Sequence, residues 1–172
     1  MNNKSPERII HQRCKEVLLP LGVFQKGTSR IYIDDNGYFF TVVEFQPSSF
    51  AKGTYLNVAL HFLWKEHEDV TYDFSAGPSS RVRDFVEYQD DEQFSREVTK
   101  YVAEAKKQIL CYRNPKNVKR VMKKIGMIHR INEEEIVQKI RQTRAFWHSK
   151  PSMKKMKYYE IYDGISDTKA QF

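Results

Sequence analysis

Residues 113–157 carry 14 Lys and Arg against three Asp and Glu, a net charge of +11. Residues 1–112 carry 14 against 16, a net of −2, and residues 158–172 one against three, again −2. Cations in that excess cannot pair locally, and an unpaired charge is too costly to bury. Part of the chain must therefore stay in water, and the basic third is expected to supply that solvated face. Aromatic residues make up 13% of the 172-residue chain, so large rings can supply the burial that a modest 40% hydrophobic share does not. The length suits one domain, or one domain with an appendage.

The first 112 residues read as one helix, a run of short strands and a second, longer helix. Ser5 and Pro6 are an N-cap and first-turn pair, and Ile9, Ile10, Arg13, Cys14, Val17 and Leu18 recur at helical spacing until Pro20 and Gly22 stop them. Residues 30–34 alternate as a strand, Asp34-Asp35-Asn36-Gly37 is a hairpin turn, and residues 38–46 return. Residues 54–64 form the next strand, with Leu56, Val58, Leu60, Phe62 and Trp64 on one face and Asn57, Ala59 and His61 on the other. Val70, Tyr72 and Phe74 predict a fourth strand, and residues 81–88 a fifth. From Asp90 or Asp91 onward, Phe94, Val98, Tyr101, Val102, Ala105, Ile109 and Tyr112 trace the stripe of a long helix. The expected fold is α+β: an antiparallel four- to five-stranded meander, covered on one face by the N-terminal and long central helices, with a C-terminal helical extension. Predicted core residues are Ile10, Val17, Phe24, Val43, Phe45, Val58, Leu60, Phe62, Tyr72, Val98, Val102, Ile109, Val121, Ile125 and Ile140.

Asn114-Pro115 ends the long helix and starts a short one, so the chain divides into an α+β body at 1–113, a basic helical extension at 114–150 and a tail at 151–172 that holds one possible short strand at 158–162. On the first short helix Lys116, Lys119, Arg120, Lys123 and Lys124 recur at spacings of 3 and 4, opposite Val118, Val121, Met122 and Ile125. Asn132 and Glu135 form the capping box of the next helix, on which Lys139, Arg141 and Arg144 continue the basic ridge. Such a ridge suits an anionic partner, either nucleic acid or an acidic protein. The turn between the two helices, residues 126–132, is longer than the ~3–4 residues of a helix-turn-helix.

Leu19-Pro20-Leu21-Gly22, then Phe24, Lys26 and Gly27, the hairpin, Val43, Gln46, Ser48, Gly53 and the strand with Asn57 follow one another in an order that resembles a bacterial family known as domain of unknown function 4304. Val23 stands between the Gly and the Phe of that pattern. The resemblance covers residues 19–113 and implies an α+β domain. It implies no activity. Gln46, at a strand end, is expected to satisfy loop backbone groups.

No set of residues carries a catalytic signature, and no cofactor or metal site is expected. His61 and His67 stand near Glu66, Glu68 and Asp69 but straddle a strand end and a turn; His11 and Cys14 share a helix face but are only two potential ligands. The 75–81 loop has small residues and an Arg, yet Pro78 removes one amide from any anion nest there. Cys14 and Cys111 are expected to be buried free thiols. The polar start Met1-Asn2-Asn3-Lys4, and the lack of any apolar run near ~18 residues, lead to the expectation of a cytoplasmic protein without a membrane partner. Three functional readings follow: a non-enzymatic binding module using the basic helices, an enzyme or small-ligand domain with a pocket on the open sheet face near Thr41, Tyr55, Asn57 and His61, and an immunity or inhibitor protein. The sequence sets no oligomeric state. If the ridge binds nucleic acid through six or more phosphate contacts, apparent affinity for duplex DNA should drop about 10³-fold between about 50 and 200 mM salt in fluorescence anisotropy, and reversing Lys119, Arg120, Lys123 and Lys124 to Glu should weaken it further. Undetectable binding at low salt removes nucleic acid and leaves the acidic protein.

Overall fold

The structure, a computed structural model, describes residues 5–36, 39–63, 72, 73, 75, 79–114, 116 and 117. Helix α1 spans Pro6–Val17, with Ser5 as N-cap, and buries Ile9, Ile10 and Cys14. A 3₁₀ turn at Leu19–Leu21 leads to Gly22, whose φ of 84° is the left-handed conformation that lets the chain reverse into the sheet. Five strands follow: β1 Phe24–Gln25, β2 Ile31–Asp35, β3 Phe39–Gln46, β4 Gly53–Phe62 and β5 Arg81–Glu87. They pair antiparallel in chain order, as expected of a meander. Helix α2, Asp91–Arg113, closes the body, its first turn capped by Asp90 Oδ1, which accepts the Gln93 N–H at 2.8 Å. All seven residues of its predicted stripe are buried; Cys111, expected to be buried, is exposed because it lies off that stripe, and only Cys14 is buried.

The strand boundaries differ from expectation in instructive ways. β2 runs on to Asp35, which pairs with Phe40, and the Asn36 N–H bonds Phe39 O at 3.0 Å. The turn thus falls later than Asp34–Gly37. Asn36 fixes it there by donating its side-chain amide to Asp34 O, Asp34 Oδ2 and Thr41 Oγ1. The two-residue β1 was not anticipated; it exists because Phe24 and Gln25 find Ile33 and Tyr32 beside them. Of the predicted strand around residues 70–74, only Tyr72 and Asp73 are among the described residues, and neither belongs to a strand. Asp73 instead seals the edge of β4 beyond the end of β5: its N–H bonds Leu60 O at 2.8 Å and its Oδ2 accepts the Phe62 N–H at 2.7 Å.

Register fixes the two faces of the sheet. Tyr32, Val43, Phe45, Leu56, Val58, Leu60 and Phe62 share the face beneath the helices. The contacts that place the helices there are the His11–Tyr32 hydrogen bond from α1, and from α2 the Arg113–Asp34 ion pair and the Tyr101 hydroxyl on Asp84 O at 2.5 Å. The opposite face was expected to be open. It is not: Ile33, Phe40, Val42, Ala59 and His61 are all at most 1% exposed. The central strands are buried on both sides, which accounts for their runs of Phe and Val where a half-exposed sheet would alternate. Of the predicted core residues, Val17 and Phe24 are only half-buried against the cluster, Tyr72 is 39% exposed, and Val121, Ile125 and Ile140 lie outside the described residues. The predicted C-terminal extension does so too, apart from Lys116 and Asn117, which form a helical turn after Asn114.

The sheet edges are short or interrupted. β5 has register shifts between Thr54, Leu56 and Asn57 of its partner and carries Arg81, Arg83, Asp84 and Glu87, features that discourage pairing with another chain. Gly53 is required where β4 meets β5, because a Cβ there would meet Val86 O and the Phe85 ring.

Two polar knots tie the helices to the sheet. At the middle of α1, Tyr32 OH lies 2.6 Å from His11 Nδ1, and Gln25 Nε2 lies 3.1 Å from the same nitrogen. Burial lowers the His11 pKa and pushes the Cys14 thiol up to about 12, so both groups are neutral in the folded state. At the end of α2, Arg113 forks onto Asp34 (Nε–Oδ2 3.1 Å, NH2–Oδ1 2.5 Å) and also donates to Leu21 O at 2.6 Å. Asp34 is 2% exposed, so its charge depends on that fork. Arg113→Ala should lower stability by about 2–4 kcal/mol in urea denaturation, below the full value of a buried pair because the guanidinium is partly in water; Arg113→Lys should recover only part, since an ammonium cannot fork.

Candidate functional site

Parity along β3 and β4 gathers polar side chains on the face away from the helices. Glu44 pairs with Asn57 and Gln46 with Tyr55, so all four share that face, and Arg81 of β5 pairs with Asn57. The register shifts in β5 bring Arg81 to this position. Asn57, 3% exposed, donates Nδ2 to Glu44 Oε2 and to Gln46 Oε1, both at 2.9 Å. Gln46 Oε1 also accepts from Arg81 NH2 at 2.9 Å. The Tyr72 hydroxyl donates to Glu44 Oε2. The Arg81 guanidinium lies 3.8 Å from the centre of the Tyr55 ring, and that ring packs on Phe85 with centroids 5.0 Å apart.

Glu44, Gln46, Asn57, Tyr72 and Arg81 line a hollow of about 350 Å³ with Ser79 and Ser80. Every wall is hydrogen-bonded to the next, in the order Tyr72, Glu44, Asn57, Gln46, Arg81. Burial, followed by the hydrogen bond and charge of Glu44, raises the Tyr72 pKa, so its phenol stays protonated and keeps donating. The hollow is thus a fixed polar surface, in the lower part of the size range of small-molecule sites.

The four residues expected to form a pocket are split by the sheet. Asn57 lines the hollow; Tyr55 does not, and serves as the platform beneath Arg81. His61 is on the same face but two same-face positions further along β4; it is fully buried, stacks on Phe40 at 5.9 Å and has Nδ1 3.8 Å from Asp73 Oδ2. Thr41 pairs with Leu60 and therefore points to the helix side, where Oγ1 accepts from Asn36. The odd and even positions of adjacent strands were not matched correctly in that expectation, because a sequence does not show the register between strands.

Glu44, Gln46, Tyr72 and Arg81 were not anticipated as site residues. Gln46 was expected to serve loop backbone, and Tyr72 to be core. Glu44 and Gln46 did carry a signal: they are polar residues that alternate with Val43 and Phe45 in a strand whose other residues, Thr41 apart, are apolar. Of the expected basic ridge, Lys116 is described; it is exposed, and its N–H bonds Asn114 Oδ1 at 3.0 Å. Lys119, Arg120, Lys123, Lys124, Lys139, Arg141 and Arg144 lie outside the described residues. Among the described residues no three His, Cys, Asp or Glu side chains gather as a metal site, and no helix is long and apolar enough to cross a membrane.

No family model matches the chain, and no curated protein or solved structure is significantly similar to it.

Asn57→Ala should remove two buried hydrogen bonds and leave Glu44 and Gln46 short of a donor, at a cost of about 1–3 kcal/mol in urea denaturation. Asn57→Asp should cost more, because it sets a second carboxylate against Glu44.

Proposed function

We propose that this chain is a non-enzymatic binding module and that the hollow over β3, β4 and β5 takes a small polar ligand. The observation that supports it is the continuous hydrogen-bond chain from Tyr72 to Arg81, which holds charged and amide groups in place around an accessible volume. Preorganised polar groups of this kind favour recognition, because little ordering remains to be done when a ligand arrives. The Tyr72 hydroxyl and the Glu44 oxygen that it meets are committed to each other and to Asn57, an arrangement better suited to a rigid wall than to proton transfer. Small polar compounds should raise the melting temperature in a concentration-dependent way, and Arg81→Ala with Gln46→Ala should abolish the rise. A melting temperature that no small polar compound of any charge type shifts would make the network purely structural.

A second reading rests on charge. The net +11 of residues 113–157 supports an anionic partner, nucleic acid or acidic protein, engaged by the ridge that begins at Lys116. The two readings are compatible, since they use different parts of the chain. The order of residues from Leu19 to Asn57 supports kinship of the body with the domain of unknown function 4304 family, and this too is a proposal.

A further inference from the structure

The hollow contains one carboxylate and one guanidinium that do not pair with each other. Glu44 and Arg81 line the same wall, yet they form no ion pair; the amides of Asn57 and Gln46 stand between them and bond to both. Each charge also has capacity left over. Glu44 uses Oε2 for both Asn57 and Tyr72, while Oε1 has no hydrogen-bond partner among the described residues. Arg81 uses NH2 for Gln46, while Nε and NH1 have no side-chain or backbone acceptor among the described residues. Stacking on Tyr55 at 3.8 Å favours the position of the guanidinium away from the carboxylate.

Were the two charges there for stability alone, direct contact would serve better, since a forked Arg–carboxylate pair is the strongest geometry available to them. The protein shows that geometry elsewhere, at Arg113 and Asp34. Opposite charges held apart by rigid amides are complementary to a ligand whose own opposite charges are held apart. We infer that the hollow binds a small zwitterion bearing an ammonium and a carboxylate, such as a free amino acid, with the ammonium on Glu44 Oε1 and the carboxylate on the open edge of Arg81. A net-neutral ligand also suits a hollow whose two charges cancel. This inference rests on the reading of the hollow as a ligand site.

The test is isothermal titration calorimetry of the full chain with glycine, L-alanine, L-glutamate and L-arginine, and separately with acetate, methylammonium and inorganic phosphate. Amino acids should bind, and the compounds with one charged group should bind far more weakly or not at all. Glu44→Gln keeps the acceptor that Asn57 and Tyr72 need, and it should weaken amino-acid binding about 10- to 100-fold, the loss of one charge-assisted hydrogen bond. Arg81→Gln should do the same, with unchanged circular dichroism in both variants. Acetate or phosphate binding as tightly as the amino acids, and unaffected by Glu44→Gln, would overturn the zwitterion and leave an anion site. Heat from none of the compounds would overturn the zwitterion, while the ligand-site reading would fall only if the melting-temperature screen were also silent.

Discussion

In β3 and β4 eight consecutive residue pairs meet in register, from Phe39 against Phe62 to Gln46 against Tyr55. A slip of one residue would turn every side chain of one strand to the other face. If β3 slipped, Glu44 would come under the helices and Val43 and Phe45 would turn away from them. The penalty for burying that carboxylate without its partners, together with the lost apolar burial, is what holds the register. Everything else is positioned by it: the outer strands extend the pairing, the helices lie on the Val43–Val58 side, and the polar side chains converge on the other.

The same register explains why the hollow has a polar wall inside a sheet that is otherwise buried on both faces. Toward the turn after β2, the outer face carries Phe40, Val42, Ala59 and His61, and it is closed. Toward the other end it carries Glu44, Gln46, Tyr55 and Asn57. Asn57 is the pivot. Its amide is almost completely buried, and both of its acceptors are side chains of β3, so the wall keeps its shape only while the strands stay aligned.

The helices were legible because their signals are local. The stripe from Phe94 to Tyr112 repeats at helical spacing, the cap at Asp90 is a near neighbour of the residue it satisfies, and the burial observed follows the stripe residue by residue. The antiparallel meander was legible for a similar reason, since consecutive strands joined by short turns leave few alternatives, but the sequence left the order of the strands open and the structure supplied it. Burial of both sheet faces was less plain: the apolar runs of β3 resemble those of a central strand, but alternation in β4 suggested a half-open one. Thr41 shows the limit most clearly. Its neighbours in sequence say nothing about whether it faces Asn57 or Leu60, and the answer came from the turn at Asn36.

The sequence by itself determined the α+β class, the two helices of the body, the meander and the separation of a nearly neutral body from a basic third, because periodicity and net charge are properties of the chain alone. Only the tertiary structure decided which polar residues meet. Glu44, Asn57, Gln46 and Arg81 come from three strands, and Tyr72 reaches them from outside any strand. Their contact depends on cross-strand register and on the shifts in β5, which are set by packing between distant segments and leave no local mark in the order of residues.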